Sequence, residues 1–178
     1  MAKDRKVNGD RRRLAILEKL KKAKGPITGN ELARQMEVSR QVIVSDVTLL
    51  KAVNEPILAT SQGYLFMPSA PAAKISRTIV CRHTPEQSEQ EMLMIVHEGA
   101  SIKNVSIEHP VYGDLTASMM IHNAHDVRNF LEKIQHTDAS FLSELTDGVH
   151  LHEIEADNES ILQSVEHKLY QAGILVKD

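Results

Sequence analysis

The run ELARQMEVSRQVIVSDVTLLK, residues 31–51, decides the fold of the first part of the chain. Its apolar residues recur at helical spacing in two short blocks. Val38 closes the first block. Ser39 is a preferred residue at the start of a helix, which predicts that the second block is a helix running to about residue 53. Two short helices joined by a tight turn indicate a helix-turn-helix.

The residues before this run predict two further helix boundaries. Leucines at helical spacing over residues 10–22 predict a first helix, which the breaker Gly25-Pro26 ends. Thr28 stands three residues before Glu31, the spacing of a capping box, so a second helix is expected to begin just after Thr28. The chain therefore predicts three short helices in succession.

A β-hairpin is predicted to follow the third helix. Residues 57–60 and 64–66 have the composition of two short strands, and residues 61–63 have that of the turn between them. This hairpin would complete a winged helix-turn-helix. Residues 68–71, which begin and end with proline, then predict a short linker.

Charge is divided unevenly along the 178 residues. Residues 1–70 carry 13 Lys and Arg against 7 Asp and Glu, whereas residues 71–178 carry 8 against 17. A basic segment suits a polyanion such as double-stranded DNA, and an acidic segment is repelled by the same phosphates. We expect a DNA-binding domain over residues 1–70 and a separate acidic domain over residues 71–178.

Composition argues against several classes of protein. No stretch reaches about 18 consecutive apolar residues, and the start MAKDRKVNGDRRR lacks the apolar core of a secretory signal. We therefore expect a cytoplasmic protein that does not bind membranes. Cys81 is the single cysteine, which excludes an intrachain disulfide, and we expect it to be a buried, unreactive thiol. The absence of Trp argues against a single-strand binder that works by aromatic stacking.

Residues 71–178 alternate between strand and helix patterns in the order βαββαβα, a split βαβ arrangement. The fold class is therefore α/β (α+β), with an N-terminal winged helix-turn-helix followed by a split βαβ domain. The predicted strands are 75–83, 102–108, 115–122 and 148–154, and the predicted helices are 84–98, 125–134 and 159–171.

His150 and His152 stand two residues apart on the last predicted strand, so their side chains share one face. In the ferredoxin-like version of the order, the first and fourth strands are antiparallel neighbours, which would bring His83 beside them. Glu91 lies two turns into the next helix, and the sequence leaves open whether its carboxylate reaches the same ion. Such ligands suit Zn²⁺, Ni²⁺, Co²⁺ or Fe²⁺. Spacing alone also allows surface histidines, because nine histidines can pair by chance.

The third helix is predicted to enter a major groove of DNA by its first turn. Arg40 and Gln41 are the expected base contacts, and Ser45 is a further outward polar residue. Ser39 can cap the helix and also touch a phosphate, and Arg12 is expected near the phosphate backbone. The alternative is that these are solvated polar residues near helix starts.

The amino-terminal motifs resemble those of known repressors. Residues 31–51, followed by GYLF at residues 63–66, are similar to the winged helix-turn-helix of small bacterial repressors, including the biotin-repressor type. The exit from the third helix, KAVNE at residues 51–55, departs from the Arg-x-x-x-Gly ending of many relatives.

A second resemblance lies in the motifs CRHTP, SEQEM, EHPVYGDLT and GVHLHEI and in the closing LxxxGIL pattern of residues 169–175. With these motifs, residues 10–176 as a whole resemble the nicotinate-responsive transcriptional repressors of NAD biosynthesis (NiaR type), which carry a three-histidine (3H) domain. The resemblance implies that residues 71–178 are a sensing and dimerisation domain. It implies that three histidines and a glutamate form a metal site near which nicotinic acid is sensed. Those residues are His83, Glu91, His150 and His152.

The resemblance also implies a repressor of NAD-biosynthesis or niacin-uptake genes, with nicotinic acid as co-repressor, that binds a palindromic operator as a homodimer. Arg82 is a candidate donor to the ligand, and His109 and His122 are candidate residues of its pocket. Two alternatives are a metal-sensing repressor and a small metal-dependent hydrolase fused to a DNA-binding module. An enzyme is not expected, because the sequence has no nucleophile motif, no glycine-rich phosphate loop and no His-Glu-x-x-His helix.

Overall fold

A computed structural model describes residues 2–67 and 74–177, with the backbone alone for residues 2–8. The chain divides into two units, Met1–Pro71 and Ala72–Asp178. The predicted linker at residues 68–71, and with it the predicted domain boundary after residue 70, lies outside the described residues. None of the described helices combines the length and the apolar character that crossing a membrane requires.

The amino-terminal unit is a winged helix-turn-helix, as the sequence predicts. Thr28 and Ser39 cap the second and third helices, where their hydroxyl oxygens accept the backbone N–H three residues on, at 3.1 and 3.4 Å. The hairpin strands pair antiparallel, and Ile27 adds a bridge to Tyr64. The elements are α1 (Ala2–Lys22), α2 (Gly29–Gln35), α3 (Arg40–Ala52), β1 (Ile57–Thr60) and β2 (Gly63–Phe66).

The first helix begins earlier than predicted, at Ala2 rather than near residue 10. The sequence pattern missed its first turns because residues 2–9 are mostly charged or polar, and such residues carry no apolar periodicity. The apolar faces of the three helices meet in one core, in which Ile16, Leu32 and Ile43 are fully buried.

The carboxyl-terminal unit has the predicted order βαββαβα. Its four strands form one sheet in the order β3-β6-β4-β5, and all neighbours are antiparallel. Two 3₁₀ helices, Pro85–Gln87 and Leu142–Thr146, precede α4 and β6. The elements are β3 (Ile75–Arg82), α4 (Ser88–His97), β4 (Ser101–His109), β5 (Gly113–Ile121), α5 (Ala124–Thr137), β6 (Val149–Ala156) and α6 (Glu159–Gln171).

In each crossover connection of the sheet, the two parallel strands that are joined have another strand between them. β3 and β4 run parallel with β6 between them, and β5 and β6 run parallel with β4 between them. The predicted split arrangement and the pairing of the first strand with the last are therefore confirmed. The strict ferredoxin-like order would place the first and third strands of the unit inside the sheet, whereas here the second and fourth lie inside. Residues 174–176 hydrogen-bond along the outer edge of β3, on the side where the strict order has another strand.

Helices α4 and α6 pack their apolar faces against the sheet. The same interior also buries four side chains with metal-ligand chemistry: His83, Glu91, His150 and His152. The fully buried large apolar residues around them include Ile95, Ile102, Ile121, Ile154, Leu162 and Leu169.

Candidate metal centre and DNA-binding surface

Four ligand-type side chains of the carboxyl-terminal unit meet in its interior. His83 directly follows β3, and His150 and His152 lie on the neighbouring strand β6. Glu91 lies in the first turn of α4, because a 3₁₀ turn comes first and the α-helix begins only at Ser88. The carboxylate therefore does reach the histidines, which the sequence had left open.

One oxygen of Glu91 contacts all three imidazoles. Its Oε2 atom lies 2.8 Å from Nε2 of His83 and 3.3 Å from Nε2 of both His150 and His152. All four side chains are between 2% and 4% exposed. The other oxygen of Glu91, Oε1, is buried and has no hydrogen-bond partner among the described residues.

Nδ1 of each ring, the nitrogen that faces away from Glu91, hydrogen-bonds to the backbone. Each Nδ1 lies 2.8–2.9 Å from a carbonyl oxygen, which can only accept a hydrogen bond, so Nδ1 carries the proton and donates it. A neutral ring then points a bare Nε2 lone pair at Glu91, the orientation that metal-ligating histidines adopt. The acceptors are the carbonyl oxygens of Thr84, Gly148 and Asn104, for His83, His150 and His152 respectively.

Three lone pairs and a carboxylate require a positive charge between them, and protons can supply it. Burial opposes ionisation of Glu91, but the facing histidines outweigh it and hold the pKa of Glu91 well below its usual value. Burial also opposes a charge on His83 and His152, yet contact with Glu91 raises the pKa of both. Protonating all three rings would bury three cations beside one carboxylate, whereas one divalent ion serves all three rings in their neutral form.

The spacing of the donor atoms also fits a transition-metal ion. Ligands about 2.1 Å from a shared ion lie about 3.0 Å apart on an octahedral edge and about 3.4 Å apart on a tetrahedral edge. The distances from Glu91 Oε2 to the three Nε2 atoms are 2.8–3.3 Å. Each of these three contacts therefore has about the length expected between two ligands of one divalent ion.

The thiol of Cys81 lies beside the same group. Cys81 pairs with His150 across β3 and β6, and its Sγ, a carboxylate oxygen of Glu91 and a ring nitrogen of His150 lie within 4.8 Å of one another. The side chain is buried, as the sequence predicts. Burial, together with the carboxylate of Glu91, raises the pKa of the thiol.

A small apolar cavity adjoins the histidines. Its volume is about 40 Å³, which is room for about three water molecules. Met92, Met119, Phe130 and Phe141 contribute apolar surface to its lining. The two phenylalanine rings contact each other, with their centroids 6.2 Å apart. A flat aromatic ligand could enter only if these side chains moved.

The three candidate ligand-pocket residues lie in different places. Arg82 is exposed and lines an open groove of about 550 Å³ that also reaches His83. His109 and His122 line neither the cavity nor this groove. Nδ1 of His109 accepts two backbone N–H groups of the β4–β5 turn, at 3.2 and 3.3 Å. Nδ1 of His122 lies 3.0 Å from the hydroxyl oxygen of Ser101. Both histidines thus have local structural contacts.

The polar residues predicted to contact DNA on α3 face solvent. Ser39, Arg40, Gln41 and Ser45 are all exposed at the start of this helix. The hydroxyl of Ser45 donates to the carbonyl oxygen of Gln41 at 3.1 Å, which leaves its oxygen lone pairs for another donor. The first turns of α3 therefore offer donors and acceptors to a groove of DNA.

Arg12 contacts the same helix from α1. Its Nε donates to Oδ2 of Asp46 at 2.5 Å, and Nη1 of Arg13 donates to Oδ1 at 3.2 Å. Asp46 lies on α3 and is buried, so the two arginines tie α1 to α3. The only sign of Asp46 in the sequence is a carboxylate on the buried stripe of the helix between Ile43 and Leu50.

Comparisons with known proteins match both units. The 3H domain family matches residues 76–178, and a helix-turn-helix (HTH) domain family matches residues 12–65. The chain is 49% identical over its whole length to the transcription repressor NadR of Bacillus subtilis (strain 168), which is also covered completely. The chain belongs to the NadR/NiaR family of transcription repressors. A second relative is the probable transcription repressor NiaR of Thermotoga maritima, 33% identical over 92% of the chain and 93% of that protein.

This NadR/NiaR-type repressor is thus a DNA-binding regulator and not an enzyme. The family predicted from its motifs is confirmed, and the relatives give no support to a fused hydrolase. The HTH match contains α2, α3 and the hairpin as far as Leu65, and the 3H match contains all four ligand-type residues.

Two features around the histidines of the repressor could not be found from sequence patterns. The carbonyl oxygen of Asn104, which accepts from His152, follows a β-bulge between Ile102 and Asn104. Strand alternation does not reveal such a bulge, because it inserts an extra residue without a distinct composition. Phe141 precedes a 3₁₀ helix in the connection after α5, where no periodic pattern marks it as part of a cavity.

Proposed function

We propose that this repressor senses nicotinic acid and, with that ligand as co-repressor, represses genes of NAD biosynthesis or niacin uptake. The observation that carries the proposal is the convergence of three Nε2 atoms on one oxygen of Glu91, in a buried site beside a cavity with two phenylalanines. The names of the relatives NadR and NiaR agree with this role. A DNA-binding repressor of a bacterium would act in the cytoplasm, where the chromosome lies.

The proposed resident cofactor is a divalent transition-metal ion, either Zn²⁺, Ni²⁺, Fe²⁺ or Co²⁺. His83, Glu91, His150 and His152 would hold it. When bound, the ion would supply a Lewis-acidic position near the ligand's carboxylate. The Nδ1–H bonds to backbone carbonyls keep the three rings in the ligating tautomer and orientation before any ion arrives.

Nicotinic acid is a flat pyridine ring with a carboxylate, and the apolar cavity suits the ring. A cavity of about 40 Å³ is too small for it, so Phe130 and Phe141 must separate to admit the ligand. The guanidinium of Arg82, in the groove that also reaches His83, is available to meet the carboxylate. A ligand that binds only the opened arrangement stabilises that arrangement, and a co-repressor acts by such a population shift.

DNA recognition is proposed for the exposed start of α3. Arg40 and Gln41 would contact base edges in the major groove, while Ser39, Ser45 and Arg12 would contact phosphates. A homodimer formed through the acidic carboxyl-terminal unit would present two such helices to a palindromic operator.

The test is fluorescence anisotropy of an operator-sized duplex taken from upstream of the source genome's NAD-biosynthesis genes. Metal-loaded protein should bind more tightly with nicotinic acid and not with nicotinamide, which lacks the carboxylate. The double variant His150→Ala/His152→Ala should lose this response and keep the winged helix. His136→Ala/His167→Ala, which changes two exposed histidines, is the matched control. The absence of any ligand effect on folded, metal-loaded protein would overturn the proposal.

A metal-sensing repressor is the second candidate, and the completeness of the donor set favours it. Three imidazoles and a carboxylate can satisfy an ion without any further ligand. In that case DNA affinity would follow the concentration of free metal with nicotinic acid absent. A tightly held metal, with DNA binding that changes with nicotinic acid alone, would exclude this candidate.

A further inference from the structure

We infer that Cys81 is a fifth protein ligand of the metal centre and gives the ion a thiolate sulfur. This inference rests on the proposed metal site of His83, Glu91, His150 and His152 and adds a residue that the three-histidine motif does not include. It predicts that sulfur, nitrogen and oxygen atoms all bind the ion.

The sheet register places Cys81 within reach of an ion. Cys81 lies directly opposite His150 in the antiparallel pair of β3 and β6, so their side chains leave the sheet on the same face. Both side chains are buried. Sγ of Cys81, a ring nitrogen of His150 and an oxygen of Glu91 all lie within 4.8 Å of one another. The sulfur therefore lies within reach of an ion bound by Glu91 and His150.

A second observation points to a ligand at this position. Oε1 of Glu91 is buried without a hydrogen-bond partner among the described residues, although Oε2 of the same carboxylate contacts three rings. A buried carboxylate oxygen without a partner is costly, and a cation beside it removes that cost. The thiol and this carboxylate thus lie side by side, where one cation could contact both.

The donor set limits which ion the site would take. Thiolate and imidazole are soft and borderline donors, so the five groups together suit Co²⁺, Ni²⁺, Fe²⁺ or Zn²⁺. They do not suit Mg²⁺ or Ca²⁺, which prefer oxygen ligands. Loss of the sulfur should therefore weaken binding of the transition metals and leave the three rings in place.

Cobalt substitution of the full-length protein tests the inference, because a thiolate bound to Co²⁺ adds a charge-transfer absorption in the near ultraviolet. Cys81 is the single cysteine of the chain, so such a band can arise from no other thiol. The wild-type protein with Co²⁺ should show the band together with the visible ligand-field bands. Cys81→Ser and Cys81→Val should both lose the near-ultraviolet band and keep the visible bands, with an affinity for Co²⁺ lower by about tenfold or more.

The outcomes separate this inference from the proposed metal site. Visible bands without the near-ultraviolet band in the wild-type protein would show that the histidine site binds metal and that Cys81 is not a ligand. No cobalt binding at all would overturn both. The two variants guard against misfolding, since Ser keeps a small polar group and Val restores apolar packing in the core around Cys81. Their far-ultraviolet circular dichroism should match that of the wild type.

Discussion

Each unit of the repressor buries one carboxylate among its described side chains, Asp46 in the amino-terminal unit and Glu91 in the carboxyl-terminal unit. Asp46 is met by two guanidinium groups, those of Arg12 and Arg13. Glu91 is met by three imidazoles, whose near nitrogens carry lone pairs when the rings are neutral. Both carboxylates are almost inaccessible, yet their partners differ in one property, the permanence of the charge.

The two buried carboxylates therefore differ in whether their contacts depend on pH and metal. A guanidinium is always charged, so the contact between α1 and α3 does not depend on pH or metal. An imidazole gains charge only by binding a proton and can instead bind a metal, so the Glu91 site has several states of different energy. The charges at Asp46 therefore stay the same, while those at Glu91 change with pH or with a bound ion.

The largest expected effect is the stabilisation of the carboxyl-terminal unit by a bound metal ion. A metal at a thousand times its Kd should stabilise the carboxyl-terminal unit by about 4 kcal/mol. Glu91→Gln should abolish most of this gain, whereas Asp46→Asn should leave it unchanged. Differential scanning calorimetry with and without Co²⁺ measures both. An equal metal-induced shift in Glu91→Gln and wild type would contradict the assignment of Glu91.

Removing Asp46 should produce the next largest effect. Asp46→Ala leaves two arginines, each 22% exposed, without their shared partner. Loss of one partner of a buried pair costs about 3–5 kcal/mol, and partial access to water lowers the expected loss here to about 2–3 kcal/mol. Urea unfolding of the amino-terminal unit measures it. Asp10→Ala is the control, because Asp10 also pairs with Arg13 but is 59% exposed and should cost less than about 1 kcal/mol.

Two glycines test how rigidly the histidine site is held. Gly148 and Gly113 both have positive φ, +84° and +68°. A Cβ on Gly148 would lie 2.3 Å from the carbonyl oxygen of His83, whereas one on Gly113 would meet nothing within 4 Å. Gly113→Ala should therefore cost only backbone strain, about 1 kcal/mol. Gly148→Ala should cost about 2 kcal/mol or more by displacing the backbone at His83. Isothermal titration with Co²⁺ should show weaker binding in Gly148→Ala alone; equal affinities would mean that the site tolerates the shift.

The smallest effect is the pH dependence of the metal-free protein. The pKa of Glu91 is lowered, so its stabilising contribution exists above about pH 4.3, the unfolded value, and disappears as pH falls through the folded pKa. The pKa values of His83 and His152 are raised, so their contribution is complete below about pH 6.5 and disappears as pH rises through the folded values. The metal-free carboxyl-terminal unit should thus be more stable at pH 5.5 than at pH 8.

Metal should reverse this trend, because ligation needs unprotonated Nε2 atoms and so strengthens as pH rises. The thermal transition of the amino-terminal unit should be nearly the same at both pH values. Calorimetric scans at pH 5.5 and 8, with and without Co²⁺, give all four values. A metal-free carboxyl-terminal unit that is more stable at pH 8 would mean that the imidazoles do not carry the proton next to Glu91.

Local patterns of the chain predicted most of the fold. Apolar spacing and turn residues predicted the caps at Thr28 and Ser39, the hairpin, and every β-strand and α-helix after residue 74, but not the 3₁₀ helix Leu142–Thr146. These signals succeed because they describe interactions between residues a few positions apart. The predicted start of α1 is wrong for the same reason, since the residues before position 10 show no apolar periodicity.

The candidate site likewise has one part that sequence motifs predict and another that depends on long-range packing. The family motifs in the sequence mark His83, Glu91, His150 and His152 as metal-ligand residues, and reading those motifs does not require the fold. It does not reveal that Cys81 faces His150 or that Asp46 faces Arg12, since those pairs depend on strand register and on helix packing. Nor does it assign the role of His109 or His122, whose contacts are with backbone and with Ser101 rather than with the cavity.

What the sequence determined by itself is the set of elements, their order and the donor groups available to each unit. Only the tertiary structure decided that one oxygen of Glu91 contacts three histidines, 8, 59 and 61 positions away, and that the Nδ1–H of each ring donates to a backbone carbonyl. The physical reason is that such contacts result from the packing of the whole sheet and its helices. Every core residue contributes a little to that packing, and no short stretch of sequence contains it.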